Sequence, residues 1–123
     1  MTGRLAGGVA RHVLLLDLTD DPAAIAAYER WHAAGAVPAP VVAGIRGAGI
    51  TAMEILRAGN RLVMVMETAP GFDPAAKAAA DAADPDTRAW EALMDQFQQP
   101  VPAAPPGVKW VEATRIFSLA DQP

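Results

Sequence analysis

The sequence predicts a small α+β domain with helices on one face of a four-stranded antiparallel sheet. The chain has 123 residues, 52% of them hydrophobic and 20% charged, which fits one folded domain. Short apolar runs and helical segments that begin at Pro follow one another in the order β, α, α, β, β, α, α, β. That order is typical of the split β-α-β arrangement. We therefore assign residues 1–123 to a single domain and expect residues 1–9 to be a loose N-terminal leader.

The first half of the chain predicts one strand and two helices. The apolar run over 12–19 predicts a strand that is buried on both faces. Asp21 stands before a Pro, and its carboxylate can accept free amide hydrogens, so a helix is expected over 22–34. Gly35 would end this helix, and a second short helix is expected over 41–46.

The second half of the chain predicts a hairpin, two helices and a closing strand. Ala58-Gly59-Asn60 has the composition of a tight turn with positive backbone angles. Asp73 and Asp84 each precede a Pro and predict helix starts. The predicted elements are hairpin strands over 50–57 and 61–68, helices over 74–83 and 85–98, and a last strand over 108–119.

Both faces of the predicted sheet carry apolar side chains. In the first strand, Leu14, Leu16 and Leu18 alternate with Val13 and Leu15. The helices cover one face only, and a second copy of the chain is the simplest cover for the other. The sequence therefore predicts a homodimer whose two sheets close into a barrel.

Composition excludes several classes of partner and site. The formal net charge is −4 and no cluster of Lys or Arg forms a basic stripe, so nucleic acid is not an expected partner. No apolar run reaches the roughly 20 residues of a membrane span. The chain has no Cys, which excludes disulfides and thiolate metal sites and fits a cytoplasmic protein. Motifs for phosphate loops, nucleophilic serines and zinc are also absent, so we predict neither a cofactor nor a metal.

Tyr28 and His32 are the first candidates for catalysis. They are four residues apart in the first predicted helix, so their side chains are expected to lie side by side. Histidine transfers protons near neutral pH, and a phenol can donate, accept or orient a hydrogen bond. The pair therefore suits acid–base chemistry on a hydroxylated substrate. The alternative is that both residues merely pack at a helix surface.

Four more residues are candidates for substrate binding: Trp31, Met53, Glu54 and Trp90. Indole rings stack on the apolar faces of sugars, although Trp is also the largest core residue. Glu54 is one of the strand carboxylates that could supply a second acid–base group, and its face of the sheet is left open by the sequence. The others are Asp17, Glu67 and Glu112. His12 lies in a buried strand and is expected to be structural.

Five segments of the chain resemble the L-rhamnose mutarotase family, in the same order along the sequence. The match runs from about residue 12 to the end. The matching segments are Tyr28-Glu-Arg-Trp-His32, the stretch from Val37-Pro38 to Gly49-Ile50, Asn60-Arg-Leu-Val-Met-Val-Met-Glu67, Trp90-Glu-Ala-Leu-Met94 and Arg115-Ile-Phe-Ser-Leu119.

The resemblance implies a ferredoxin-like, dimeric α+β barrel enzyme. Such an isomerase would interconvert the α and β anomers of a deoxy sugar by acid–base catalysis. The resemblance gives the acid–base role to His32 and places Tyr28 and Trp90 in the sugar pocket.

The chain also departs from the family pattern. Val37, Ala39, Ala52-Met53 and Glu91 stand where the family has Trp, Glu, Asn-Tyr and Trp, which removes hydrogen-bonding and stacking groups. A second hypothesis is therefore a dimeric barrel that binds, cyclises or isomerises a more apolar metabolite in a cavity lined by Met53, Met64 and Met66. A third is an inactive relative in which His32 only packs.

Overall fold

The computed structural model describes residues 3–4 and 8–123, with side chains for 8–123. This part of the chain forms six strands and four α-helices. The elements are β1 (Gly3–Arg4), β2 (Ala10–Leu18), α1 (Pro22–Trp31), α2 (Ala39–Gly47), β3 (Ile50–Ala58), β4 (Arg61–Thr68), α3 (Pro74–Ala83), α4 (Pro85–Asp95), β5 (Gln98–Gln99) and β6 (Val111–Glu112). A 3₁₀ turn follows at Leu119–Asp121.

All strand pairs are antiparallel, and the three long strands lie in the order β2-β4-β3. The short strands β1, β5 and β6 pair with different stretches of β2. The hairpin between β3 and β4 turns at Gly59, whose φ of 59° lies in the left-handed region, as the sequence predicted for that turn. The predicted α+β fold with an antiparallel sheet is confirmed.

Alternate residues of the long strands form two different surfaces. On the helix face, Leu14 pairs with Met64 and Leu16 with Leu62. On the opposite side, Val13 pairs with Val65, and Val63 pairs with Leu15 and Leu56. We call the surface of these five residues, Val13, Leu15, Leu56, Val63 and Val65, the open face, because no helix of the described chain packs on it.

The core lies between the helix face and the helices. Leu18, Tyr28, Leu62 and Met94 are at most 4% exposed and pack together. Burial of this kind removes apolar area from water at about 25 cal/mol per Å². Tyr28 is thereby fixed as the buried residue of α1.

Three helices begin at the Asp-Pro pairs that predicted them. Asp21 accepts a hydrogen bond from Ala24 N at 3.1 Å. Asp73 does the same for Ala75 N at 3.0 Å, and Asp84 accepts from both the amide and the hydroxyl of Thr87. These carboxylates satisfy amides that have no partner within the helix.

The predicted closing strand over 108–119 is largely wrong. Only Val111–Glu112 pairs with β2, followed by one further bond from Ala113 N to Val13 O. The next edge positions of β2, Arg11 and Ala10, are already paired with β1, so residues 114–119 have no edge to join. As a result Ile116 is 95% exposed.

Other boundaries also differ from the predictions. Helix α4 ends at Asp95 and not at Gln98, which begins β5. Helix α1 ends at Trp31 and not at Ala34, so His32 is its C-cap residue. Within the predicted leader, Gly3–Arg4 pairs with β2, whereas residues 1–2 and 5–7 lie outside the described residues. Among the residues described, no helix has both the length and the apolar character to cross a membrane.

Candidate active site

A cavity of about 420 Å³ lies between the helix face of the sheet and the helices. The strands supply an apolar floor that includes Leu14 and Ile55. It also includes the three methionines that the sequence analysis named, Met53, Met64 and Met66. The helices supply the polar groups and the aromatic rings. Both candidate catalytic residues, His32 and Tyr28, line this cavity.

Tyr28 and His32 lie against each other at the end of α1. Their ring centroids are 4.2 Å apart and the planes are tilted by 30°. The predicted side-by-side arrangement is therefore present, although His32 reaches it from the C-cap position and not from within the helix.

A backbone hydrogen bond fixes the tautomer of neutral His32. Its Nδ1 lies 2.7 Å from the carbonyl oxygen of Tyr28, one of the carbonyls that the end of α1 leaves without a helical partner. Because a carbonyl only accepts, Nδ1 carries the hydrogen and donates it. Neutral His32 consequently keeps a lone pair on Nε2, as a general base requires.

The two tryptophans take different positions. Trp90, from α4, lines the cavity and meets the His32 ring edge-on at a centroid distance of 5.4 Å. Trp31 packs behind it, 6.4 Å from the Trp90 centroid, and is 40% exposed. Trp31 is not among the residues that line the cavity, and it contacts Trp90, which is.

The phenol of Tyr28 is held in its neutral form. Burial raises the pKa of Tyr28 above its ordinary value of 10.0, and Glu91 adds to this, while a hydrogen bond from Gln98 and the charge of Lys109 act in the opposite direction. Gln98 Nε2 donates to the phenol oxygen at 3.3 Å. Tyr28 is therefore a hydrogen-bond donor at neutral pH and not a phenolate base.

Helices α3 and α4 bring polar groups to the cavity that the sequence analysis did not identify. Lys77 and Asp81 form an ion pair on α3, and Thr87 and Glu91 come from α4. The i, i+4 spacing of Lys77 and Asp81 in an alanine-rich helix was a usable signal for this pair. Gln98 and Trp110, also in the cavity wall, had no such signal.

None of the strand carboxylates named as possible second groups lines the cavity. Glu54 is next to Met53 in β3 but points to the other side of the sheet, where its strand partner is Val65. Asp17 is buried and binds Arg61 through two bonds of 2.9 and 3.2 Å. The carboxylates that line the cavity, Asp81 and Glu91, are thus on helices and not on strands.

His12 lies outside the cavity wall and holds two parts of the sheet together. Its Nδ1 is 2.9 Å from Glu112 Oε1 and its Nε2 is 3.3 Å from Thr68 Oγ1. Over residues 8–123, no group of three or more His, Cys, Asp or Glu side chains is arranged to hold a metal ion.

Comparison with known proteins extends the resemblance seen in the motifs. The family model for L-rhamnose mutarotase matches residues 11–119. The chain is 55% identical over 107 residues to an L-fucose mutarotase from Xanthomonas campestris pv. campestris, covering 87% of this chain and 86% of that protein. A crystal structure of an L-rhamnose mutarotase from Formosa agariphila shares the fold, with a TM-score of 0.62, 13% identity and coverage of 89% of this chain and 97% of the other. The chain belongs to the L-rhamnose mutarotase family.

Proposed function

We propose that this protein is a mutarotase that interconverts the α and β anomers of a 6-deoxy sugar, with L-fucose as the first candidate. The observation that carries the proposal is the pairing of His32, whose Nδ1 is held by the Tyr28 carbonyl, with the Tyr28 phenol in a cavity of about 420 Å³. The 55% identity to an L-fucose mutarotase is what supports L-fucose as the first candidate.

The composition of the cavity wall suits a deoxy sugar. The apolar floor formed by Met53, Met64 and Met66 can pack against a methyl group and one apolar face of the ring. Lys77, Asp81 and Glu91 can bind hydroxyls at the opposite wall. These polar groups favour a sugar over the apolar metabolite of the second hypothesis.

His32 and Tyr28 can carry out both proton transfers of mutarotation. His32 Nε2 takes the proton of the anomeric hydroxyl while the bond between C1 and the ring oxygen breaks and its electron pair moves to that oxygen. The Tyr28 phenol donates its proton to the ring oxygen. Rotation about the C1–C2 bond and the reverse transfers then close the other anomer. The transient imidazolium and phenolate are stabilised by their proximity, since the rings are 4.2 Å apart.

The proposal includes a homodimer in the cytoplasm. The open face presents Leu56 at 50% exposure beside four half-buried apolar residues. Ion pairs between Arg11 and Glu67 and between Asp17 and Arg61 border this surface. An apolar centre with a charged rim is typical of an interface, and a second open face is a complementary partner. The absence of Cys is consistent with a reducing compartment.

Saturation-transfer NMR on L-fucose and L-rhamnose tests the activity, with the spontaneous rate subtracted. Wild-type protein is expected to accelerate anomer exchange. His32→Asn is expected to lower kcat by about 100- to 10,000-fold, because the Asn amide still donates to the Tyr28 carbonyl but offers no basic nitrogen.

His12→Asn is the matched control, since His12 lies outside the cavity wall and its loss should leave kcat of the folded protein nearly unchanged. The function is refuted by absence of acceleration with both sugars. Full activity of His32→Asn would instead remove His32 from its role as the base.

A further inference from the structure

Gln98 reaches the cavity from a position fixed by the sheet. It begins β5, two residues after the C-cap of α4, and its backbone pairs with Leu18 of β2. The preceding carbonyl, that of Phe97, accepts from Thr19 N at 2.8 Å. These bonds hold the Gln98 backbone beside the core, and its side chain forms part of the cavity wall.

The bond from Gln98 decides the direction in which Tyr28 can donate. Gln98 Nε2 is 3.3 Å from the phenol oxygen, and an amide nitrogen donates only, so the phenol oxygen is the acceptor. No other side-chain or backbone bond to this phenol is found over residues 8–123. Its hydrogen is therefore left to bond to a group that enters the cavity.

The oxygen of the same side-chain amide is in a different state from its nitrogen. Gln98 Oε1 is buried without a hydrogen-bond partner among the described residues. A buried acceptor in that state opposes folding, and an apolar side chain of similar size would avoid the cost. This suggests that the amide serves the site and not the stability of the fold.

We propose that Gln98 is a positioning residue for Tyr28, donating to the phenol oxygen so that the phenol hydrogen faces the ring oxygen of the bound sugar. The inference rests on the proposed mutarotase function. It adds a residue to which neither the sequence motifs nor the family match gave a role.

Other polar groups also face the phenol. The His32 ring lies beside it at the end of α1, and the charges of Glu91 on α4 and of Lys109 in the loop after β5 act on its pKa. The Lys77–Asp81 ion pair lines the same cavity from α3. Each variant therefore has to be compared with wild type at the same pH, across the full pH range.

Gln98→Met and Gln98→Glu test the positioning role through kcat. Met removes the donor, and we expect kcat to fall about tenfold, with a smaller change in KM. An ionised Glu accepts the phenol hydrogen and turns it away from the sugar, so kcat at neutral pH is expected to fall about 100-fold. As the pH is lowered, the Glu side chain gains a proton and becomes a donor, so the ratio of variant to wild-type kcat should rise.

A second readout does not depend on activity. Tyr28 is the only tyrosine in the chain, so the ultraviolet absorbance of tyrosinate reports the pKa of this one phenol. Because the Gln98 bond lowers the pKa of Tyr28, its removal in Gln98→Met should raise that pKa further above 10.0. Gln98→Glu should raise it more, through the added negative charge. An unfolded variant is recognised because its tyrosine titrates at the ordinary value.

Gln99→Glu is the matched control, since it adds the same charge one residue away on the other side of the sheet, opposite Asp17. It should leave the Tyr28 titration and the kcat of the folded protein close to wild type. An active wild type that Gln98→Glu matches at every pH would overturn the positioning role alone. A wild type inactive on both sugars would overturn the proposed function as well.

Discussion

The two faces of the sheet are built from neighbouring residues of the same strands, yet their surroundings differ sharply. Leu16 and Leu62, on the helix face, are 1% and 2% exposed, whereas Leu56 on the open face is 50% exposed. The helix face also forms the floor of the cavity with His32 and Tyr28. Since side chains alternate along a strand, one strand can serve the site on one side and association on the other.

The polar groups are divided in the same way, with ion pairs on one side of the sheet and hydrogen-bonding groups of the cavity on the other. The ion pairs of the sheet, Asp17–Arg61 and Arg11–Glu67, lie on the side of the open face, where they can orient a partner. Tyr28 and Gln98 lie on the other side, where a substrate would meet them. If the two faces are independent, a substitution on the open face should change association without changing activity, and the reverse should hold for the cavity.

The largest expected effect is on association. Val63→Lys would bring a charge into the apolar centre of each open face in the dimer, and its desolvation is expected to cost several kcal/mol per charge. The variant is expected to be a monomer in analytical ultracentrifugation where wild type is a dimer. The kcat of the monomer should stay within about twofold of wild type, because His32, Tyr28 and the cavity lie on the helix side of the sheet, away from the open face.

Ala82→Lys provides the control, because it adds the same charge to an exposed position on α3, away from the open face. It should leave the dimer intact. A wild type that sediments as a monomer would remove the dimer from the proposal. A monomeric Val63→Lys without activity would show that the partner is needed to complete the site.

The next largest effect is on the free energy of unfolding. It is tested by truncating two adjacent residues of β4 that lie on opposite faces of the sheet. Leu62→Ala would leave a cavity in the core and is expected to lower the free energy of unfolding by about 2 to 5 kcal/mol. Val63→Ala, one residue further on, removes a side chain only partly withdrawn from water in the monomer, so a loss below about 1 kcal/mol is expected. Urea unfolding at several protein concentrations would measure both losses and separate the contribution of dimerisation from that of the monomer. Equal losses would show that the open face is as well packed as the helix face.

Sequence reasoning located the features that depend on local chemistry. Asp21-Pro22 marked the start of α1, and the spacing of Tyr28 and His32 correctly placed their rings together. Capping and i, i+4 contacts depend on residues close in sequence, which is why they could be predicted.

Features that depend on distant packing could not be predicted in this way. Alternation in β3 separates Met53 from Glu54 but does not say which of them faces the helices. The apolar and polar alternation around Ile116 predicted a strand, but β1 occupies the edge of β2 that this strand would need. The place of Gln98 depends on how β5 meets β2, for which the sequence has no marker.

The smallest expected effect comes from weakening the start of α1, a helix that packs on the helix face and not on the open face. Asp21 accepts from Ala24 N at 3.1 Å, and Asp21→Ala leaves that amide without its partner, so the free energy of unfolding should fall by about 1 kcal/mol. Asp20→Ala is the matched control, because Asp20 is exposed and is not the cap. Helix α1 carries Tyr28 and His32 but packs on the helix face, so fraying should lower kcat/KM while the dimer dissociation constant stays the same. A change in dimerisation with Asp21→Ala would show that the open face depends on α1, because the Asp21 side chain bonds to the first turn of that helix.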